Sequence, residues 1–442
     1  MTLKLGAYRA RPYGRAPQAL RAAWLALLLS GCLAPESAGP APGMMALLPP
    51  QLDAQGAVQS VVIGELQSRE SILPPGSSYA VLADHLLAAS ALSAEAALRM
   101  KRLTAQARAK NWLPKLGSDL SLSALGRVVA QLVLEQAVFD QGLRRAERDF
   151  AAADVEVAAV ALAQDVNRRI YAGLKLYIEA DRAAVQAGII DTALTRMAEF
   201  ERIMAIRVEG GVSDRSEQRV LVQKRAEMQA SLSATREARQ TALAELQILL
   251  SEPMPALAGL TILPEDSGGP MALAVLLAQG EAARSIAEIA VARARMAPGL
   301  GLSAGLDRSG DLDAGLNISG DFLDLARGET LQALTEAEAL ALRKLAEAER
   351  DSAAKLVALG REIAELRGQK ASESKVLAEM EANLPLFWAQ YKAGRISLLE
   401  LANHFEALVA LRRSHGSLEH QIALARLEMA LLRGQLVAGA AL

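Results

Sequence analysis

Displaced by 184 residues, the sequence falls on itself. Pro114 lands on Pro298, Leu116 on Leu300, Leu122 on Leu306, Asp140 on Asp324, Gly210 on Gly394, Ser213 on Ser397 and Leu243 on Leu427. One offset held from residue 114 to residue 243 means that the chain carries a single unit twice, joined by the Pro- and Gly-rich stretch Glu252 to Pro270. The unit reads helix, proline stop, strand hairpin, long helix, tight turn, helix. Its long helix dictates a rod, because residues 143–207 contain no proline and as one helix would extend roughly 95 Å. Leu143, Ala146, Phe150, Ala153, Val157 and Val160 follow alternate spacings of three and four, the seam of packed helices. Gln164 and Asn167 interrupt that seam, and Tyr171, Leu174 and Ile178 resume it. The closing helix keeps a similar seam through Leu401, Phe405, Leu408, Leu418, Ile422 and Met429. Composition agrees, since 52% of residues are hydrophobic but only 3% aromatic, so alanine and leucine must build the core.

The strand hairpins are read from a change of period. Leu300, Leu302, Ala304 and Leu306 alternate with Gly301, Ser303, Gly305 and Asp307, and the alternation resumes from Leu312 to Ser319. Leu116, Leu120 and Leu122 alternate with Gly117, Ser121 and Ser123, and a second run passes through Leu132 and Leu134. Runs of roughly ten residues suit a tilted strand crossing a bilayer with one face to lipid and one to water. Ordinary soluble hairpins would give the same signal. Four strands cannot close a barrel, so a membrane reading demands strands from other chains. Beyond the leader, no stretch is long and charge-free enough for a transmembrane helix.

The N-terminus reads as an address. Lys4, Arg9, Arg11, Arg15 and Arg21 precede the short apolar run Ala22 to Leu29, a secretory signal in order and length. It ends in Leu29-Ser30-Gly31-Cys32, with the chain's single cysteine. This resembles the lipobox of bacterial lipoproteins, which implies cleavage before Cys32 and lipidation there; Leu33 in place of Asp implies onward transport to the outer membrane. An incidental cysteine beside an ordinary cleavage site is the alternative. From Tyr79 to Asn111 the pattern is helical, with Leu82, Leu86, Ala89 and Ser93 on one face. The expected organisation is a signal peptide at 1–31, a tether at 32–78, a first repeat at 79–250, a linker at 251–270 and a second repeat at 271–437. The strand hairpins fall at 114–142 and 298–326, and the helical tips near 207–214 and 391–397.

Two segments carry a specific resemblance. After Pro114 and its hairpin, Gln136-Ala137-Val138-Phe139-Asp140-Gln141-Gly142 is similar to the strand-to-helix junction of the TolC-like outer membrane factors. Tyr391-Lys392-Ala393-Gly394-Arg395-Ile396-Ser397-Leu398-Leu399-Glu400 resembles their helix-hairpin tip, and Gly210-Gly211-Val212-Ser213 their other tip. The likeness covers residues 79–437. It implies a mainly α fold with a small β part, in which long coiled-coil helical hairpins form an α-barrel. Two β-hairpins per chain would contribute four strands to a 12-stranded trimeric β-barrel. It further implies a homotrimer in the outer membrane, lipid-anchored, with a periplasmic tunnel, and as partners a periplasmic adaptor (membrane fusion) protein, an inner membrane transporter and membrane lipid. Gly210, Ser213, Tyr391, Gly394, Arg395 and Ser397 become candidates for adaptor docking, and Glu400 for an acidic ring at the entrance. By the same 184-residue offset, Arg207 stands where Tyr391 stands and Ser216 where Glu400 stands, so the first tip lacks the Tyr and the acid. Asn403 likewise replaces an acid of some relatives. A glycine lets the chain leave one helix left-handed, and Ser213 or Ser397 can cap the next; these residues would then only turn the chain.

Other function classes are disfavoured. A formal net charge of -2 without a basic, aromatic-interleaved run argues against nucleic acid. His85, His404, His415 and His420 lack metal-ligand spacing. Neither a phosphate loop nor a nucleophile elbow follows a strand, so neither enzyme, cofactor nor metal is expected. The sequence predicts an outer membrane export conduit, with small-molecule efflux ranked above an outer membrane partner of type I protein secretion. A periplasmic coiled-coil structural lipoprotein is the alternative from another class.

Overall fold

The computed structural model describes residues 50–52, 58–89, 93–122, 128–255, 257, 259–265, 268–307, 312–319 and 326–441. The signal peptide, Cys32 and the first part of the expected tether lie outside the described residues, as does Asp324. Everything described belongs to the second of the chain's two units, Ala46–Leu442.

Two strands, Gln51–Leu52 (β1) and Val58–Gln59 (β2), pair antiparallel. Helices follow at Val61–Gln67 (α1), Ser78–Ala88 (α2) and Ser93–Ala109 (α3). Strands Lys115–Leu122 (β3) and Val128–Phe139 (β4) lead to helices Leu143–Glu209 (α4) and Arg215–Leu249 (α5). The second repeat reproduces the order with Leu273–Arg295 (α6), Gly299–Asp307 (β5), Leu312–Ser319 (β6), Arg327–Lys392 (α7) and Leu398–Arg433 (α8). Among the described residues no single helix is long and apolar enough to cross a membrane.

The 67 residues of α4 span about 100 Å. A helix of that length draws stability from neighbours rather than from propensity, and α4 has neighbours on both flanks along its whole course. Early in α4, α3 lies on one flank and α6 on the other; later α5 and α8 take those places, and α7 lies beyond α6 and α8. The result is a wall of four columns, namely α3 with α5, then α4, then α6 with α8, then α7. Acids of α4 tie three columns together. Asp154 meets Lys101 at 2.7 Å and Arg284 at 3.2 Å, and Glu147 meets Arg108 at 3.0 Å and Arg295 at 3.7 Å. Both outer columns carry exposed apolar side chains, Met100, Leu103 and Val222 on one side and Leu340, Val357 and Val376 on the other.

Two expectations are corrected here. Residues 58–76, read as part of a tether, are folded from β2 onward. Val62 and Leu66 of α1 bury against Val160 and Ala163, and Arg69, nearly buried, donates to the carbonyls of Arg433 at 2.5 Å and Met271 at 2.8 Å. Apolar residues and one long cation hidden among prolines and glycines are enough to dock the segment. The single helix expected from Tyr79 to Asn111 is two, α2 and α3. The Ala89 carbonyl, at the end of α2, accepts from Arg169 at 3.3 Å, so a side chain of α4 takes the acceptor that a continuing helix would use. Asn167 explains the break in the seam of α4: fully buried, it donates to the Ala163 carbonyl at 2.8 Å and accepts from the Leu436 amide at 2.9 Å. The interruption is where the C-terminal segment docks.

Candidate functional site: the helical tips and the strand sheet

Both helical hairpins turn by the same device. Gly211 (φ 69°) and Gly394 (φ 71°) adopt the left-handed conformation that side chains resist. The Val212 amide reaches back to the Arg207 carbonyl at 2.8 Å, and the Arg395 amide to the Gln390 carbonyl at 2.9 Å, closing a paired-bond helix stop in each case. Asp214 then caps α5 by accepting from the Ser216 amide at 3.2 Å, and Ser397 caps α8 by accepting from the Glu400 amide at 3.0 Å.

These bonds correct the sequence reading of the first tip. Gly210 has φ −77° and is not the left-handed residue. Ser213 caps nothing; its hydroxyl accepts from Arg207 Nε at 3.1 Å. The reason is register. The first long helix has 67 residues against 66 in the second, and the returning helix 35 against 36. The 184-residue offset valid at the strand junctions therefore becomes 183 at the tips, and recovers by the helix ends. Val208, not Arg207, is the counterpart of Tyr391, and Glu217, not Ser216, the counterpart of Glu400. Each returning helix thus carries an acid in its first turn, which the helix dipole favours. The missed signal was a matched spacing, Asp214 to Glu217 and Ser397 to Glu400, that of a capping residue and its acid.

Aromatic packing locks the two tips to each other within the protomer. The Arg207 guanidinium lies 5.8 Å from the centre of the Tyr391 ring, Tyr391 contacts Trp388 at 5.6 Å, and Trp388 stacks on Phe200 at 6.0 Å. Phe200 meets Phe405 edge-on at 5.6 Å. Around this core Arg225 pairs with Glu201 at 2.7 Å, and Lys224 pairs with Glu406. Arg395 and Glu400 remain exposed, and Arg395 has no ion pair among the described residues. Two of the four histidines are absorbed by packing: His404 stacks on Phe387 at 4.0 Å, and His420 bridges the Gly416 carbonyl and Asp181 at 3.1 and 3.0 Å. Among the described residues no group of three His, Cys, Asp or Glu could hold a metal ion.

At the opposite end of the long helices, the four strands form one antiparallel sheet in the order β3-β4-β5-β6. Register sorts the residues by face. Leu116 aligns with Leu134, Ala304 and Ala314; Leu302 with Leu316; and Leu300 with Ile318. The alternate row holds Lys115, Glu135, Ser303 and Gly315, and the next Gly117, Val133, Gly305 and Asp313. One face is a leucine field, the other small and polar. On the leucine face Leu316 is 70% and Leu116 68% exposed, which water does not favour. Among the described residues β3 and β6 leave their outer edges unpaired, and β3 follows the outer column α3 while β6 precedes the outer column α7. Both open sheet edges thus adjoin the two open flanks of the helical wall.

A helical wall ending in a four-stranded sheet with an apolar face and open edges defines a class, and the fold is that of the TolC-like outer membrane factors. No family model matches the sequence, and no curated protein matches it. Solved structures do. The outer membrane protein VceC of Vibrio cholerae superposes with a TM-score of 0.72 at 16% identity, over 81% of this chain and 97% of its own. The CmeC outer membrane channel of Campylobacter jejuni gives 0.68 at 12%, over 82% and 86%. The MtrE outer membrane channel of Neisseria gonorrhoeae, in its open state, gives 0.62 at 16%, over 89% and 97%. At such identities the likeness is one of fold.

Proposed function

We propose that three copies of this chain assemble into a conduit through the outer membrane and catalyse nothing. The observation that carries this reading is the coincidence of open edges. A sheet with one apolar face, one polar face and two unpaired edges is satisfied when identical sheets close a ring. Three copies supply twelve strands, apolar side to lipid and polar side to water, and continue below as a twelve-column helical tunnel. The neighbours described as outer membrane channels support the same use of the fold.

In this reading the tips form the periplasmic entrance. Gly394 and Ser397, with Gly210 and Ser213 near the first turn, shape the surface on which a periplasmic adaptor docks. Tyr391 braces it, and Arg395 offers guanidinium donors to the adaptor's carbonyls and carboxylates. An inner membrane transporter supplies the cargo, small molecules ahead of secreted protein, and Cys32 carries the lipid anchor. Three copies set three Glu400 and three Glu217 carboxylates around the entrance, so the passage favours cations. Purified protein in planar bilayers tests this. Discrete conductance steps with cation preference, weakened in Glu400→Gln and further in Glu217→Gln/Glu400→Gln, are expected. A protein that inserts and gives no conductance sinks the proposal.

A further inference from the structure

Where strands become helices, the leucine face of the sheet ends in a band of larger exposed side chains. Trp112 and Leu113 stand on one flank, Phe139 next, and Ile318 on the other. The levels agree, because Gln136 donates to the Trp112 carbonyl at 3.1 Å and Phe139 pairs with Leu300, the partner of Ile318. An indole and a phenyl ring at the edge of an apolar field suit the boundary between acyl chains and headgroups.

Two cations stand next to this band in the chain. Lys110 follows the last residue of α3 and Arg145 is in the first turn of α4; both are exposed, and neither has an ion pair among the described residues. Helical phase places Arg145. Eleven residues, about three turns, separate it from Glu156, whose carboxyl accepts from Ser60 just before α1. It therefore shares the face of the wall on which the N-terminal segment packs. Glu147 and Asp154, which bind cations of α3 and α6, lie roughly opposite. Two carboxylates neighbour these cations. Asp140 is occupied, accepting from the Gly142 and Arg144 amides at 3.1 Å. Asp149, one turn along α4 from Arg145, feels both Arg145 and Arg148, whose pull works against the upward shift that burial gives its carboxyl.

We propose that this junction is a binding site for an anionic phospholipid, with Trp112, Leu113 and Phe139 against the upper acyl chain and Lys110 and Arg145 on the headgroup phosphates. The occupant is a lipid rather than a soluble anion because the cations border an apolar band continuous with the leucine face. The inference rests on the bilayer reading of the sheet proposed above, and its test separates the two. The full chain carrying Trp24→Phe and Trp388→Phe, which leaves Trp112 as its one indole, is reconstituted into phosphatidylethanolamine vesicles. A minor fraction of either brominated phosphatidylglycerol or brominated phosphatidylethanolamine is included, and indole quenching is read. Brominated phosphatidylglycerol should be enriched at Trp112 by about fivefold for each cation. Lys110→Gln/Arg145→Gln should abolish the excess, and Arg145→Lys should retain most of it. Equal quenching by the two lipids, or an excess that survives the double substitution, would overturn the headgroup site and leave the bilayer reading standing. No quenching by either lipid would overturn both.

Discussion

Glu156 shows what a single side chain contributes where the N-terminal segment crosses the wall. It is almost fully buried and accepts from the Ser60 hydroxyl, and burial pushes its carboxyl above the ordinary value of 4.5, a shift that the Ser60 bond only partly offsets. The folded chain therefore holds a proton that the unfolded chain has released, so stability falls as pH rises from about 4.5 toward the raised value. Glu156→Gln keeps the shape and removes the titration. Thermal unfolding followed from pH 4 to pH 8 should show a flatter profile and a higher midpoint at neutral pH; an unchanged slope would contradict the assignment. Cys32 is argued from the lipobox resemblance alone. Cys32→Ser should abolish palmitate labelling while export persists in part, since a closed barrel holds the membrane by itself; label retained on the variant would refute the lipid anchor. Such residues differ in legibility. Cys32 stands in a contiguous motif, whereas Asn167 and Arg69 look like blemishes in a seam and in a tether until their partners, Leu436 and the Arg433 and Met271 carbonyls, arrive from far along the chain.

Elements were legible wherever one local rule governs them. Period-two alternation gave the strand hairpins, a proline-free run with a seam gave the first long helix, and the repeat carried that reading to the second, which tolerates Pro385 in its last turns. The break between α2 and α3 was not, because the donor that meets the Ala89 carbonyl, Arg169 of α4, lies far along the chain. The exact tip register was not either, because two one-residue differences in helix length cancel before the helices end. That register now decides which residues a partner meets: Glu217 joins Glu400, and Val208 replaces the expected aromatic. Arg395 follows the left-handed glycine directly and is exposed, with no ion pair among the described residues. Arg395→Ala is expected to leave assembly and thermal stability unchanged, within the about 0.5 kcal/mol of an ordinary surface substitution, while lowering adaptor cross-linking and export severalfold. Unaltered cross-linking would reduce it to a solvated loop charge.

At the scale of the whole molecule, the two repeats succeed one another across a single sheet and a single wall, β3-β4 beside β5-β6. Duplication of one unit therefore doubles the arc that each chain contributes and leaves both ends of the arc open. Sequence could supply the unit and its repetition, but the edges become visible only when strand order and column order are known together. Closure of that arc by identical copies is the central claim, and the mass of the complex extracted in mild detergent tests it most directly. Native mass spectrometry should find three chains, stable at dilution because β3 of one protomer pairs with β6 of the next. A stable monomer, or a complex of any other number of chains, would contradict the account.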